Sequence, residues 1–243
     1  VITVGVDLAA ADAGTAVATI SWAGGVARVE SLVLGASDAG VVAAASGADR
    51  VGIDFALGWP DAFVAFVSAH AEGDVAPDGG GDWRRMLAYR ETDRAVRART
   101  GRWPLSVSTD RLGLTALRCA GLLGRLAATG LDVDRTGGGD IAEVYPGASL
   151  RLWGFDTTRY RVDPDARGAL LAALRAEAPW LDLGGHDALT IRSGDAFDAV
   201  VAALAARAVA LGRTTPPDAA QLRRARREGW VHLPAAGLAG LVS

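Results

Sequence analysis

Two short apolar segments that end on an aspartate, Val4-Gly5-Val6-Asp7-Leu8 and Val51-Gly52-Ile53-Asp54-Phe55, constrain this chain more than any other feature. Segments of this length, bounded by small and polar residues, read as strands. An ionised carboxylate in such company must shift its pKa, find a partner or hold a metal ion, because its unpaired burial is strongly unfavourable. A third acidic group heads a long apolar helix. Ser193-Gly194-Asp195-Ala196-Phe197-Asp198 opens a run to Leu211 in which Arg207 is the only further charge, as expected for a helix covered on nearly every face.

The segments around these acids give an α/β organisation. Val1 to Leu8, Thr15 to Trp22 and Val26 to Leu34 read as strands separated by the turn candidates Asp12-Ala13-Gly14 and Ala23-Gly24-Gly25, which predicts an antiparallel meander. A helix near Ser37 to Ser46 leads to a fourth strand, Arg50 to Phe55, and a helical crossover suits a parallel pairing. The sheet is therefore expected to be mixed, with helices packed against it. From Gly58 to Thr109 the pattern is less regular, with a Gly-rich loop at Asp78 to Asp82 and an Arg-rich helix from about Trp83 to Arg99. A helical insertion at about residues 60–130 accounts for this stretch. Further helices are expected over Asp110 to Thr129, Asp163 to Ala178 and Asp195 to Leu211. Strands are expected at Ile141 to Tyr145, ended by Pro146, and at Trp230 to Leu233. No internal repeat or linker divides the chain, so residues 1–243 are read as one domain.

Composition narrows the function classes. Half of the 243 residues are hydrophobic, enough for a sizeable core, yet no run of 18 or more apolar residues is free of charge or glycine. No basic segment followed by an apolar stretch opens the chain, so a cytoplasmic protein without a membrane partner is expected. Cys119 is the single cysteine, and His70, His186 and His232 are scattered, so zinc spacing is absent. All 25 basic residues are Arg against 28 acids, and the net charge of −3 argues against wrapping nucleic acid by bulk electrostatics. Local patches matter more.

Each candidate residue has a plain structural role beside a chemical one. Asp7 and Asp54 either cap turns or, on adjacent strand ends about 5 Å apart, share a site. Glu143, within Ile141-Ala142-Glu143-Val144, either points to solvent or joins that site. Asp195 and Asp198 share a helix face in the first turn, where the helix dipole favours acids. Such close like charges are also relieved by a divalent cation with oxygen ligands. Arg90, Arg94 and Arg97, with Asp93 nearby, would lie on one side of the Arg-rich helix, as a solvated face or as a phosphate-contacting surface. Trp83 and Trp103 flank it and suit core packing better than base stacking. Asp12-Ala13-Gly14-Thr15 resembles the phosphate hairpin of actin-like ATPases and sugar kinases, but the chain is too short for their two facing domains.

Five motifs in order resemble a known family. They are Gly5-Val6-Asp7-Leu8-Ala9, then Gly52-Ile53-Asp54 through Leu57-Gly58-Trp59-Pro60, then Arg90 with Thr92-Asp93 and Arg97, then Glu143-Val144-Tyr145-Pro146, and finally Asp195-Ala196-Phe197-Asp198-Ala199. The set resembles domain-of-unknown-function family 429, described as a predicted nuclease with a ribonuclease H-like fold, and the acidic helix is also similar to that of Holliday-junction resolvases. The resemblance implies a five-stranded mixed sheet with strands one to three antiparallel. It also implies Mg or Mn held by Asp7, Asp54, Asp195 and Asp198, with Glu143 as a further catalytic acid. Arg161 after Tyr160 stands where Lys is usual and keeps the charge; Ala56 stands where Pro is usual. The expected activity is two-metal hydrolysis of phosphodiester bonds in nucleic acid, with Arg90, Asp93, Arg94 and Arg97 at the substrate. The alternative is a binding module for nucleic acid or protein that keeps the fold without turnover. The oligomeric state is left open, a homodimer being compatible.

Overall fold

The computed structural model describes residues 1–74 and 77–242; Val75 and Ala76, inside the expected insertion, fall outside it, as does Ser243. Six strands form one mixed sheet: β1 (Ile2–Asp7), β2 (Ala16–Ala23), β3 (Val26–Leu34), β4 (Arg50–Asp54), β5 (Ile141–Glu143) and β6 (Leu181–Asp182), in the order β5-β4-β1-β2-β3-β6. The meander β1-β2-β3 is antiparallel, and β4 pairs parallel with β1 after the crossover helix α1 (Asp38–Ala45), as the sequence predicts. The sheet has six strands where five were expected. The sixth is β6, parallel to β3 through Ala27–Leu181 and Arg28–Asp182. Two residues carry no readable period, so only this pairing defines the strand. The tail at Trp230 to Leu233 adds no strand; it makes isolated bridges, Glu143 with Val231 and Thr214 with Pro234.

The remaining helices are α2 (Asp61–Ala71), α3 (Gly80–Ala88), α4 (Glu91–Thr100), α5 (Gly113–Ala128), α6 (Pro146–Leu152), α7 (Pro164–Glu177), α8 (Asp187–Arg192), α9 (Gly194–Ala210) and α10 (Leu222–Glu228). The expected Arg-rich helix is broken between α3 and α4. Arg90 is extended there, at φ −70° and ψ 166°, and the Asp93 carboxylate accepts its backbone N–H at 2.9 Å. A local acid thus starts a new helix where Arg spacing alone read a continuous one. β5 stops at Glu143, short of the Tyr145 expected, so Pro146 does not end it; the fixed φ of Pro146 instead suits the first position of α6.

Strand alternation decides what the site receives. Val4 and Val6 of β1, Val51 and Ile53 of β4 and Ile141 of β5 pack with Val41 of α1 and with Cys119, Leu122 and Leu126 of α5. Gly5 and Gly52 face the other way, toward α9. A methyl on Gly5 would overlap the Ala199 carbonyl and the Ala203 nitrogen, and one on Gly52 would stand 2.7 Å from the Ala202 oxygen. Glycine strands against an alanine helix therefore let the two backbones approach, and α9 lies buried on the sheet. Asp7 and Asp54 share the parity of Gly5 and Gly52, so their side chains emerge on the α9 side. No helix among the described residues is long and apolar enough to cross a membrane.

Candidate acidic site

Asp7 and Asp54 are register partners at the ends of two parallel central strands. Asp195 and Asp198 come from the first turns of α9, which Ser193 caps by accepting the Ala196 N–H at 3.2 Å. The close seating of α9 on Gly5 and Gly52 carries these acids to the strand ends. What joins them is Arg161. Its guanidinium lies 3.3 Å from Asp7, 3.3 Å from Asp195 and 2.8 Å from Asp198. Tyr160 donates its hydroxyl to Asp198 Oδ1 at 2.9 Å. Asp198 Oδ2 is buried and, although close to Arg161, receives no hydrogen bond.

Burial is the main cause of the site's altered acidity. It pushes Asp7 up to about 8, with Asp198 and Asp195 adding to the rise and Arg161 opposing it. Asp54 is raised well above the usual carboxylate range by burial, then by the charges of Asp7 and Asp198. Asp198 is raised to about 6, burial outweighing Arg161 and the Tyr160 hydrogen bond. Burial works against the Arg161 cation, but Asp198, Asp7 and Asp54 outweigh it and hold its pKa above the ordinary value. Arg161 therefore offsets only part of what burial and the neighbouring carboxylates do to these acids.

Glu143 lines the same cleft as Asp7 and Asp54, with Arg90 beside it, but it is not bound to Arg161. It is in register with Ile53 and so takes the opposite parity to Asp54. Arg90 grips it with two hydrogen bonds, 2.8 and 2.7 Å, and Leu57 donates its N–H at 3.0 Å. The same guanidinium reaches Asp93 at 2.8 Å and the Glu228 carbonyl at 3.0 Å. Burial raises Glu143 against the pull of Arg90. Arg90, Asp93 and Glu143 thus form a buried ion-paired prop that ties α4, β5 and α10 together. Arg90 and Asp93 have their polar groups turned to one another rather than to an open surface. Arg94 reaches only the Arg85 carbonyl, at 3.4 Å, and Arg97 is exposed; neither lines the acidic cleft.

That cleft, of about 680 Å³, has Asp7 and Asp54 among its walls together with Arg102, Arg151, Arg159 and Arg161. Arg151 and Arg159 carried no sequence signal, since isolated arginines in loops or short helices have no pattern to read.

The four candidate metal donors are carboxylates, the hard oxygen set that Mg and Mn prefer, and Asp198 Oδ2 is a buried oxygen with no proton aimed at it. The donor chemistry therefore fits a divalent cation. The arrangement is closed round Arg161 instead. Among the described residues, no group of three or more His, Cys, Asp or Glu is set to hold a metal ion as it stands. The Arg161 side chain that closes it is 48% exposed.

A family model described as "Protein of unknown function (DUF429)" matches residues 5–221, which includes every residue of the acidic cluster and of the ion-paired prop. No curated protein and no solved structure matches the chain.

Proposed function

The chain belongs to that family of proteins of unknown function, and on this premise we propose that it is a metal-dependent nuclease of ribonuclease H-like fold, hydrolysing phosphodiester bonds in nucleic acid. One observation carries the reading: carboxylates from β1 and α9 converge on a single cationic centre, Arg161, which with Asp7 and Asp54 lines a cleft wide enough for a substrate. Asp7, Asp54, Asp195 and Asp198 would hold Mg or Mn once Arg161 withdraws. Such an ion supplies positive charge that acidifies water and offsets charge on phosphoryl oxygens.

The chain's own residues do the rest. Tyr160 orients the Asp198 carboxylate through its hydroxyl and keeps that oxygen from turning away. Arg161, freed from the acids, offers a planar fork to a phosphate oxygen pair. The Arg90-Asp93-Glu143 prop holds the end of β5 beside β4 and keeps the cleft wall rigid.

A second reading, a binding module without turnover, is favoured by one feature: Arg161 already partners the acids as a finished ion-pair network would. Calorimetric titration with Mn, followed by cleavage assays on labelled DNA and RNA, separates the two. Binding and cleavage that both vanish in Asp54→Asn, with the fold retained, support the nuclease. Nucleic acid bound without cleavage supports the module. Absence of Mn binding even with nucleic acid present overturns the metal-dependent reading.

A further inference from the structure

The acidic centre occupies only part of its cleft. Arg102, Arg151 and Arg159 line the same cavity as Asp7 and Asp54, and they differ from Arg161 in what they touch. Arg161 has carboxylate partners in Asp7, Asp195 and Asp198. Among the described residues, Arg102 and Arg151 make no ion pair with any carboxylate, whereas Arg159 pairs through Nε with Asp163 at 3.4 Å.

Arg151 is held in place all the same. Its Nη1 donates to Thr157 Oγ1 at 3.4 Å, its guanidinium sits 5.9 Å from the centre of the Tyr145 ring, and its Nε is buried with no partner. The Nε edge is thus closed off in the wall, and the Nη2 donor, which makes no hydrogen bond among the described residues, is the one left for a ligand oxygen. Arg159 adds an independent sign. It is the single non-glycine residue with positive φ among the described residues, at +60°, a conformation that costs about 1 kcal/mol or more outside glycine. Strain of this kind, on a charged residue at a cleft wall, persists where the side chain's position matters.

Resting on the phosphodiesterase reading of the acidic centre, we propose that Arg102, Arg151 and Arg159 form a second anion subsite, which takes a phosphate group of the substrate other than the one cleaved. Guanidinium forks match phosphate oxygens in pairs; Arg102 and Arg151 bind an anion without first breaking an ion pair, and Arg159, held by Asp163 through Nε, keeps its two Nη groups for it. A cleft of about 680 Å³ has the size of a small-ligand site, so the ligand class is a short single strand or nucleotide bearing at least two phosphates, not a duplex.

The test is binding by metal-free protein of two probes, the thymidine dinucleotide with a 5′-phosphate and the same dinucleotide without it. The wild type is expected to prefer the phosphorylated probe by about tenfold, the worth of one good charge-assisted contact pair. Arg151→Gln and Arg102→Gln should each reduce that preference, and the double variant should abolish it. Arg102 is exposed, so its variant keeps the fold even if Arg151→Gln loses stability. Equal affinity for both probes in the wild type, or a preference that survives in the double variant, overturns the subsite. Inorganic phosphate binding as tightly as the phosphorylated dinucleotide would make this a free-phosphate site and overturn its assignment to substrate. Cleavage with Mn is scored separately: preference without cleavage keeps the subsite and removes the nuclease, and cleavage without preference does the reverse.

Discussion

Asp7 and Asp54 stand opposite one another in register at the ends of β1 and β4, on the face of the sheet that α9 covers. Neighbouring strands lie about 4.8 Å apart, so two carboxylates so placed feel each other strongly unless a cation lies near. Arg161 supplies one positive charge to Asp7, Asp195 and Asp198, yet burial still holds Asp7 and Asp198 above their ordinary pKa.

The burial of these acids makes stability depend on pH. Asp7 is raised to about 8 in the folded protein from an ordinary value near 3.8, so the folded state holds a proton that the unfolded chain releases between these limits. Its contribution is complete below pH 4 and is lost as the pH rises through 8. Asp198, raised to about 6, follows the same sign over a narrower window. Asp7→Asn should therefore stabilise the metal-free protein at pH 8, by on the order of 2 kcal/mol, and the gain should shrink toward pH 4. Thermal melts of both proteins across that range check the sign.

Arg161 should compete with a divalent ion for the same oxygens. Arg161→Met is expected to tighten Mn binding by about tenfold while lowering the melting temperature of the metal-free protein at pH 8, since the acids lose their cation. Calorimetry with chelator-treated protein measures the first and a thermal melt the second. Weaker Mn binding in this variant would place Arg161 outside the exchange.

The buried prop should be strongly coupled. Removing Arg90 leaves the buried Glu143 and Asp93 without their cation, so Arg90→Met should cost about 3–5 kcal/mol, whereas Glu143→Leu leaves Arg90 paired with Asp93 and should cost less. The double variant should cost clearly less than the two losses added, because each single variant already breaks the same Arg90–Glu143 pair, while Asp93 is left without its cation once, in common with Arg90→Met. Urea denaturation of the four proteins yields the coupling, and additivity would refute the ion-pair account.

Gly5 is required for the site to assemble. Gly5→Ala places a methyl against the backbone of α9 at Ala199 and Ala203 and should destabilise by more than about 4 kcal/mol or prevent folding. Gly121→Ala is the contrast. It lies in α5 with open space around a new Cβ and should stabilise by about 0.5–1 kcal/mol. Denaturation midpoints of the two variants decide both points.

The sequence by itself determined the features whose causes are local. Alternation in Val4 to Asp7 and Val51 to Asp54 set two strands and the shared face of their terminal acids, and the apolar run after Asp198 set a buried helix headed by acids. The tertiary structure alone decided which groups meet. Arg161 lies 154 positions from Asp7 in the chain, and Arg90 lies 53 from Glu143, so neither pairing leaves a trace in local pattern. Glu143 does line the cleft with Asp7 and Asp54, but its register with Ile53 gives it the opposite parity, and its ion-pair partner there is Arg90, which only the fold brings to it. The two-residue strand β6 and the break before α4 were likewise settled by partners: β3 for the one, the Asp93 carboxylate for the other. Periodicity reports the burial of each face, whereas the destination of a charge depends on which opposite charge the fold brings within hydrogen-bond reach.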